Sequence, residues 1–214
     1  MTILNLVKLP ITTIDLSPGS HLLINDVTWE QYETLLTDLG ADRRVPRINY
    51  VNGILEIMSP LPAHERPHRI IAYIVTAILD AQDRPWEDFG STTFKKPKRA
   101  GLEPDTCFYI QNAERVRNLM RINMDTDPPP DLAIEADVTS KTTLDAYATL
   151  QVPEVWIYDS GRLTIYLLQG DDYNPVTTSQ VFPDLPITTW VPELVKMAFD
   201  TGTSTMLRTL RRQL

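Results

Sequence analysis

Three carboxylates stand in this sequence where burial ought to penalise them. Glu135 and Asp137 interrupt the apolar run from Leu132 to Val138, and because side chains alternate along a strand the two project from one face. Asp105 follows Glu103-Pro104 at the start of a second strand-like run that reaches Gln111. A buried carboxylate requires a partner, and a cluster of them meets that need with a cation or a catalytic proton. Taken singly, each could instead make an ordinary salt bridge or cap a turn. Glu65 joins the set by position, since it opens a helix whose free N–H groups and dipole favour a carboxylate; capping is its simpler role. His64 beside it is placed to accept a proton or orient a water. Three histidines, His21, His64 and His68, with the single Cys107, are a poor set for zinc. Oxygen ligands point to magnesium or manganese.

The elements that must position these groups follow from periodicity. Thr28 with Gln31 forms a capping-box pattern, and Trp29, Tyr32, Leu35, Leu36 and Leu39 recur at helical spacing until Gly40. Asn52-Gly53 joins two β-rich runs, 47–51 and 54–58, into a hairpin. From 64 to 83, Ile70, Ile71, Ile74, Val75, Ile78 and Leu79 line one helical stripe. Strands are expected over 86–96, 106–111 and 132–138, with a basic turn at Pro97–Gly101 and a short helix or loop over 112–120. A helix over 142–150 leads to a strand at 155–159, a crossover of suitable length for parallel strands. Later strands are expected at 163–168 and weakly at 173–182, and helices over 191–199 and 204–214.

A chain of 214 residues, 43% hydrophobic and 22% charged, is enough for one well-buried domain over 27–214 preceded by an arm at 1–26. No apolar run approaches the length of a membrane span, and the lack of a secretory pattern together with one cysteine leads to the expectation of a reducing cytoplasm. The net charge of −8 argues against broad coating of nucleic acid. It leaves room for local cationic groups: Arg43, Arg44 and Arg47; Lys95, Lys96, Lys98 and Arg99; Arg208, Arg211 and Arg212. Such runs are also what a solvated surface looks like.

The chain resembles the Uma-type endonuclease-like family of the PD-(D/E)XK, or restriction-endonuclease-like, nuclease superfamily. The resemblance rests on Glu103-Pro104-Asp105 with the following Cys107-Phe108-Tyr109-Ile110 strand, on Ile134-Glu135-Ala136-Asp137-Val138-Thr139-Ser140, and on Val152-Pro153-Glu154-Val155-Trp156. Leu55 to Pro60, His64-Glu65 and Gly90 to Phe94 extend it over roughly 27–190. It implies an α/β fold: a restriction-endonuclease-like core with a mixed β-sheet flanked by helices, plus the N-terminal helix and hairpin. It also implies that Glu65, Asp105 and Glu135 bind Mg2+ or Mn2+ for hydrolysis of DNA.

One departure bears on the chemistry. Asp137 stands where the superfamily motif carries a lysine that stabilises charge on the phosphate. Lys96 is the favoured replacement and Lys141 the alternative, while Asp137 itself would serve as a further ligand or as a base for the attacking water. The expected function is therefore a Mg-dependent endodeoxyribonuclease with DNA as substrate, no membrane partner, and a homodimer matching the two-fold symmetry of a duplex. The competing expectation is a catalytically degenerate nuclease fold that binds nucleic acid or a protein. A glycosidase built on a carboxylate pair lacks any aromatic sugar platform to support it.

Overall fold

The structure, a computed structural model, describes residues 15–40, 46–59, 62–136 and 141–214, with 62–65 and 141–142 described in their backbone alone. Along the chain run β1 (His21–Ile24), α1 (Trp29–Leu39), β2 (Arg47–Val51), β3 (Ile54–Met58), α2 (Pro62–Ala81), β4 (Glu87–Asp88), β5 (Phe94–Lys96), β6 (Ala100–Leu102) and β7 (Thr106–Tyr109). They are followed by α3 (Ala113–Val116), β8 (Leu132–Ala136), α4 (Lys141–Leu150), β9 (Glu154–Asp159), β10 (Arg162–Gln169), β11 (Asp172–Val176), α5 (Ile187–Thr201) and α6 (Thr203–Gln213).

The strands form two sheets. An antiparallel five-stranded sheet runs β1-β3-β2-β6-β5, and a mixed six-stranded sheet runs β11-β10-β9-β8-β7-β4. Local chemistry explains several of these elements directly. Asn52 and Gly53 both take positive φ, 47° and 86°, the type I′ geometry whose twist matches antiparallel strands. That turn sets β2 against β3 in the register Asn49 to Glu56. Thr28 and Gln31 complete a reciprocal capping box at the start of α1. The parallel pair β8/β9 is joined by α4, as a parallel pair requires a crossover.

The two sheets and the helices bury three apolar layers. α2 places Ile70, Ile71, Ile74, Val75, Ile78 and Leu79, each almost wholly buried, against Phe108, Leu132, Ile134 and Trp156 on one face of the six-stranded sheet, with α5 and α6 closing that layer. Each such isoleucine contributes about 1.5–3 kcal/mol when fully buried. Cys107, Tyr109, Ala133 and Val155 on the other face meet Val51, Phe94 and Leu102 of the five-stranded sheet and Ala146, Tyr147 and Leu150 of α4. Ile48, Tyr50, Leu55 and Ile57 pack outward on Tyr32 and Leu36 of α1.

Three sequence expectations are corrected. The run 86–96 is not one strand: β4 pairs with β7 in the six-stranded sheet, whereas β5 pairs with β6 in the five-stranded one. The break has a local cause, since Gly90 takes a φ of 54°, its N–H donates to Asp88 Oδ1, and Thr92 Oγ1 donates to the Phe89 carbonyl. The basic turn after Lys96 is tighter than expected, with Lys98 at a φ of 62°, so Ala100–Leu102 returns as the extra strand β6. The late weak strand is confined to Asp172–Val176. Most of the 1–26 arm lies outside the described residues; its end supplies β1, paired with β3.

Candidate active site

Alternation along β8 sends Leu132 and Ile134 to the α2 layer and Ala133 to the layer between the sheets, so Glu135 shares the inter-sheet side. β7 pairs antiparallel to β8 with Thr106 facing Ile134 and Cys107 facing Ala133. Continuing that register by one residue sets Asp105 opposite Glu135, at the separation of a cross-strand pair. The Asp105 carboxylate extends the ladder, its Oδ2 accepting the Ala136 N–H at 2.7 Å. Two like charges at such a position repel unless a cation intervenes.

That cation comes from the other sheet. Arg47, the first residue of β2, forms an ion pair through its Nη1 with Asp105 Oδ1. Its charge also acts on Glu135, whose carboxyl is pushed from an ordinary 4.5 up to about 7, first by burial. The Tyr147 hydroxyl and Arg47 hold the value down, and the charge of Glu56 raises it again. Tyr147 donates to Glu135 Oε1 at 2.5 Å, so α4 orients that carboxylate from above. Arg47, Glu56, Asp105 and Glu135 are exposed by only 8%, 3%, 8% and 4%, so their charges meet one another rather than bulk water.

Around this centre the hairpin supplies a second polar group. Glu56 Oε2 accepts from Asn49 Nδ2 at 3.4 Å and from Thr143 Oγ1 at 3.3 Å. Asn49 in turn accepts the Glu103 N–H at 3.2 Å. The Glu103 carboxylate receives the Ile48 N–H at 3.3 Å and the Thr93 hydroxyl at 2.8 Å. Glu103 of the Glu-Pro-Asp run thus braces the sheet, and Asp105 is the member of that run that meets Glu135. Thr143 and Tyr147 lie four residues apart, on one face of α4, and each holds a carboxylate from a different sheet.

Of the carboxylates expected from sequence, Asp105 and Glu135 are brought together. The side chains of Glu65 and His64 and the whole of Asp137 lie outside the described residues, as does the side chain of Lys141. Among the described residues no three His, Cys, Asp or Glu side chains converge on one metal-sized point. The donor chemistry still fits a hard divalent cation, because the groups brought together are carboxylate oxygens. Asp105 and Glu135 are the described groups that could hold such an ion.

Lys96 is placed elsewhere, which corrects the expectation that it faces the carboxylates. Its Nζ donates to the Thr149 carbonyl at 3.1 Å, capping the C-terminal turn of α4 where the helix dipole favours a cation. It lines an open groove of about 700 Å3 with Asn52, Arg99, Asp145, Gln151 and Asp171. The cause is the split of 86–96, because β5 lies at the edge of the five-stranded sheet and not beside β7. Lys95 turns to the opposite side and pairs with Glu33 at 2.9 Å.

Sequence reasoning assigned no role in the site to Arg47, Asn49, Glu56, Thr143 or Tyr147. For the hairpin residues a signal existed. Arg47 and Asn49 alternate on one strand face and Glu56 faces Asn49 across the Asn-Gly turn, which is the same pattern of charge within an apolar strand that singled out Glu135. Arg47 instead reads in sequence as part of a basic surface run with Arg43 and Arg44. Tyr147 carries no such signal, because helical spacing names its face and not its partner.

A solved structure described as a putative nuclease belonging to DUF820 from Anabaena variabilis is similar in fold, with a TM-score of 0.51 at 16% identity, covering 85% of this chain and 99% of that one. No curated protein matches the sequence. The family Uma2, described as "Putative restriction endonuclease", matches residues 29–198, a span that takes in the hairpin of Arg47 and Glu56, both strands of the Asp105 and Glu135 pair, and α4 above them. By that match, and with the fold in agreement, the chain belongs to the Uma2 family.

Proposed function

We propose that this protein is a metal-dependent nuclease that hydrolyses DNA phosphodiester bonds at the Asp105 and Glu135 pair. The observation that carries this reading is the placement of two buried carboxylates opposite each other, Asp105 just before β7 and Glu135 in β8, with Arg47 as countercharge. Family membership and the nuclease description of the similar solved structure support it. Glu65 and Asp137 belong to the proposal as further ligands, Asp137 also as a base for the attacking water.

When bound, a magnesium or manganese ion polarises a phosphoryl oxygen and makes water a better nucleophile. The chain's own residues supply the rest. Tyr147 orients Glu135 through its short hydrogen bond, the Ala136 N–H fixes the second oxygen of Asp105, and the packed sheets exclude bulk water from both. In the overall step water adds to phosphorus, one P–O ester bond breaks, and the leaving oxygen takes up a proton. The products are a phosphate monoester and a hydroxyl end. Pairing of two copies about a two-fold axis is part of the same proposal; light scattering that returned the monomer mass of 24.4 kDa would count against it.

The test is cleavage of supercoiled plasmid with millimolar magnesium or manganese. Wild type is expected to nick or linearise the DNA, and Asp105→Asn and Glu135→Gln to lose at least about a hundredfold in rate, the scale of removing one transition-state contact. Equal rates in wild type and both variants would refute the assignment. A second reading, a nuclease fold that binds without cutting, is favoured by the internal pairing of Asp105 with Arg47. It predicts wild-type DNA binding with no cleavage under either metal.

A further inference from the structure

We infer that Arg47 is the cation that meets the phosphate to be cleaved, in the role for which the restriction-endonuclease-like motif carries a lysine. This rests on the nuclease reading above. The position two residues after Glu135 is Asp137, so the strand that carries Glu135 brings no positive charge of its own. Lys96, the sequence candidate, is committed to the Thr149 carbonyl at the far end of α4, and Lys95 to Glu33. Arg47 pairs with Asp105, which the register of β7 and β8 sets opposite Glu135, so among the described residues its charge is brought to the carboxylate pair from the other sheet.

Its chemistry suits the task. A guanidinium offers five N–H donors in a planar fork that matches carboxylate and phosphate oxygens alike. It stays charged at every working pH, so its contribution is electrostatic and never that of a general base. Its backbone is well anchored: Arg47 opens β2, which pairs with β3 along its whole length and with β6 at its far end. A donor held in place before the reaction requires no reorganisation as charge develops on the phosphate. The low exposure of Arg47 keeps that charge from being screened by water and salt.

A purely structural Arg47 would neutralise Asp105 and do nothing more, and two measurements separate the possibilities. The first is duplex DNA binding in EDTA, followed by fluorescence anisotropy across a range of salt. Loss of one phosphate contact should lower the slope of log K against log salt by about one. The second is metal-supported plasmid cleavage, where Arg47→Met should lose about a hundredfold in kcat with KM nearly unchanged, and Arg47→Lys should recover part of it. Because Arg47→Met strands a buried carboxylate, Asp105→Asn is compared with the same protein also carrying Arg47→Met, a background in which that charge is already gone. A salt slope unchanged between these two, or a folded Arg47→Met enzyme cleaving at the wild-type rate, overturns the inference while Glu135-dependent cleavage leaves the nuclease reading standing. Wild type that neither binds nor cleaves DNA overturns both.

Discussion

Replacing Glu135 by Gln isolates the electrostatic cost of the buried pair, and the expected effect has a definite sign. Glu135 titrates near 7 in the folded protein against an ordinary 4.5. Between these values the folded state holds a proton that the unfolded state has lost, so the unfolding free energy falls as pH rises. The contribution is fully present below about 4.5 and lost as pH passes about 7. At about 1.4 kcal/mol per pH unit the span amounts to about 3 kcal/mol. Gln has nearly the same volume, accepts the Tyr147 hydroxyl through its amide oxygen, and does not titrate. Glu135→Gln should therefore match wild type at acidic pH and exceed it by about 3 kcal/mol at pH 8, measured by urea unfolding in EDTA at both ends of the range. Taking the difference between the two proteins removes the titration of every other group. A difference that stays constant from pH 5 to pH 8 would refute the reasoning, because it would mean that burial does not raise the Glu135 carboxyl above its ordinary range.

The remaining expectations concern the same framework. Magnesium or manganese should raise Tm at pH 8 and much less at pH 5, since protons and metal compete for Glu135, and calorimetry of Asp105→Asn should show the effect abolished. Lys96→Met should cost about 0.3–1 kcal/mol through the uncapped end of α4 and leave cleavage within about twofold of wild type; a hundredfold loss would return Lys96 to the phosphate. Gly101→Ala should destabilise by about 1–3 kcal/mol, because an added Cβ would lie 2.0 Å from the hydroxyl of Tyr32, a ring fixed between Trp29 and Tyr50 and unable to withdraw. Thermal unfolding that matches wild type would show that this aromatic group shifts more easily than its packing indicates.

What the sequence determined by itself is the part governed by neighbours along the chain. Asn52-Gly53 imposes the turn, and the turn sets the register that puts Asn49 against Glu56. The Thr28 and Gln31 box starts α1, the isoleucine stripe specifies α2, and strand alternation alone directs Glu135 away from the α2 layer. Family motifs are legible for the same reason, since they are runs of adjacent residues. Tertiary structure decided which charges meet. Whether Arg47 lies on the surface or against Asp105, whether Glu56 finds Thr143 across 87 residues, and whether Lys96 reaches the carboxylates or an α4 carbonyl 53 residues away all depend on how two sheets and a helix stack. A turn at Gly90, formed by local hydrogen bonds, transfers the chain from one sheet to the other and so takes Lys96 with it. Periodicity names the face on which a side chain stands; only the packing of the layers supplies what that face meets, and for a charged group the partner decides the chemistry.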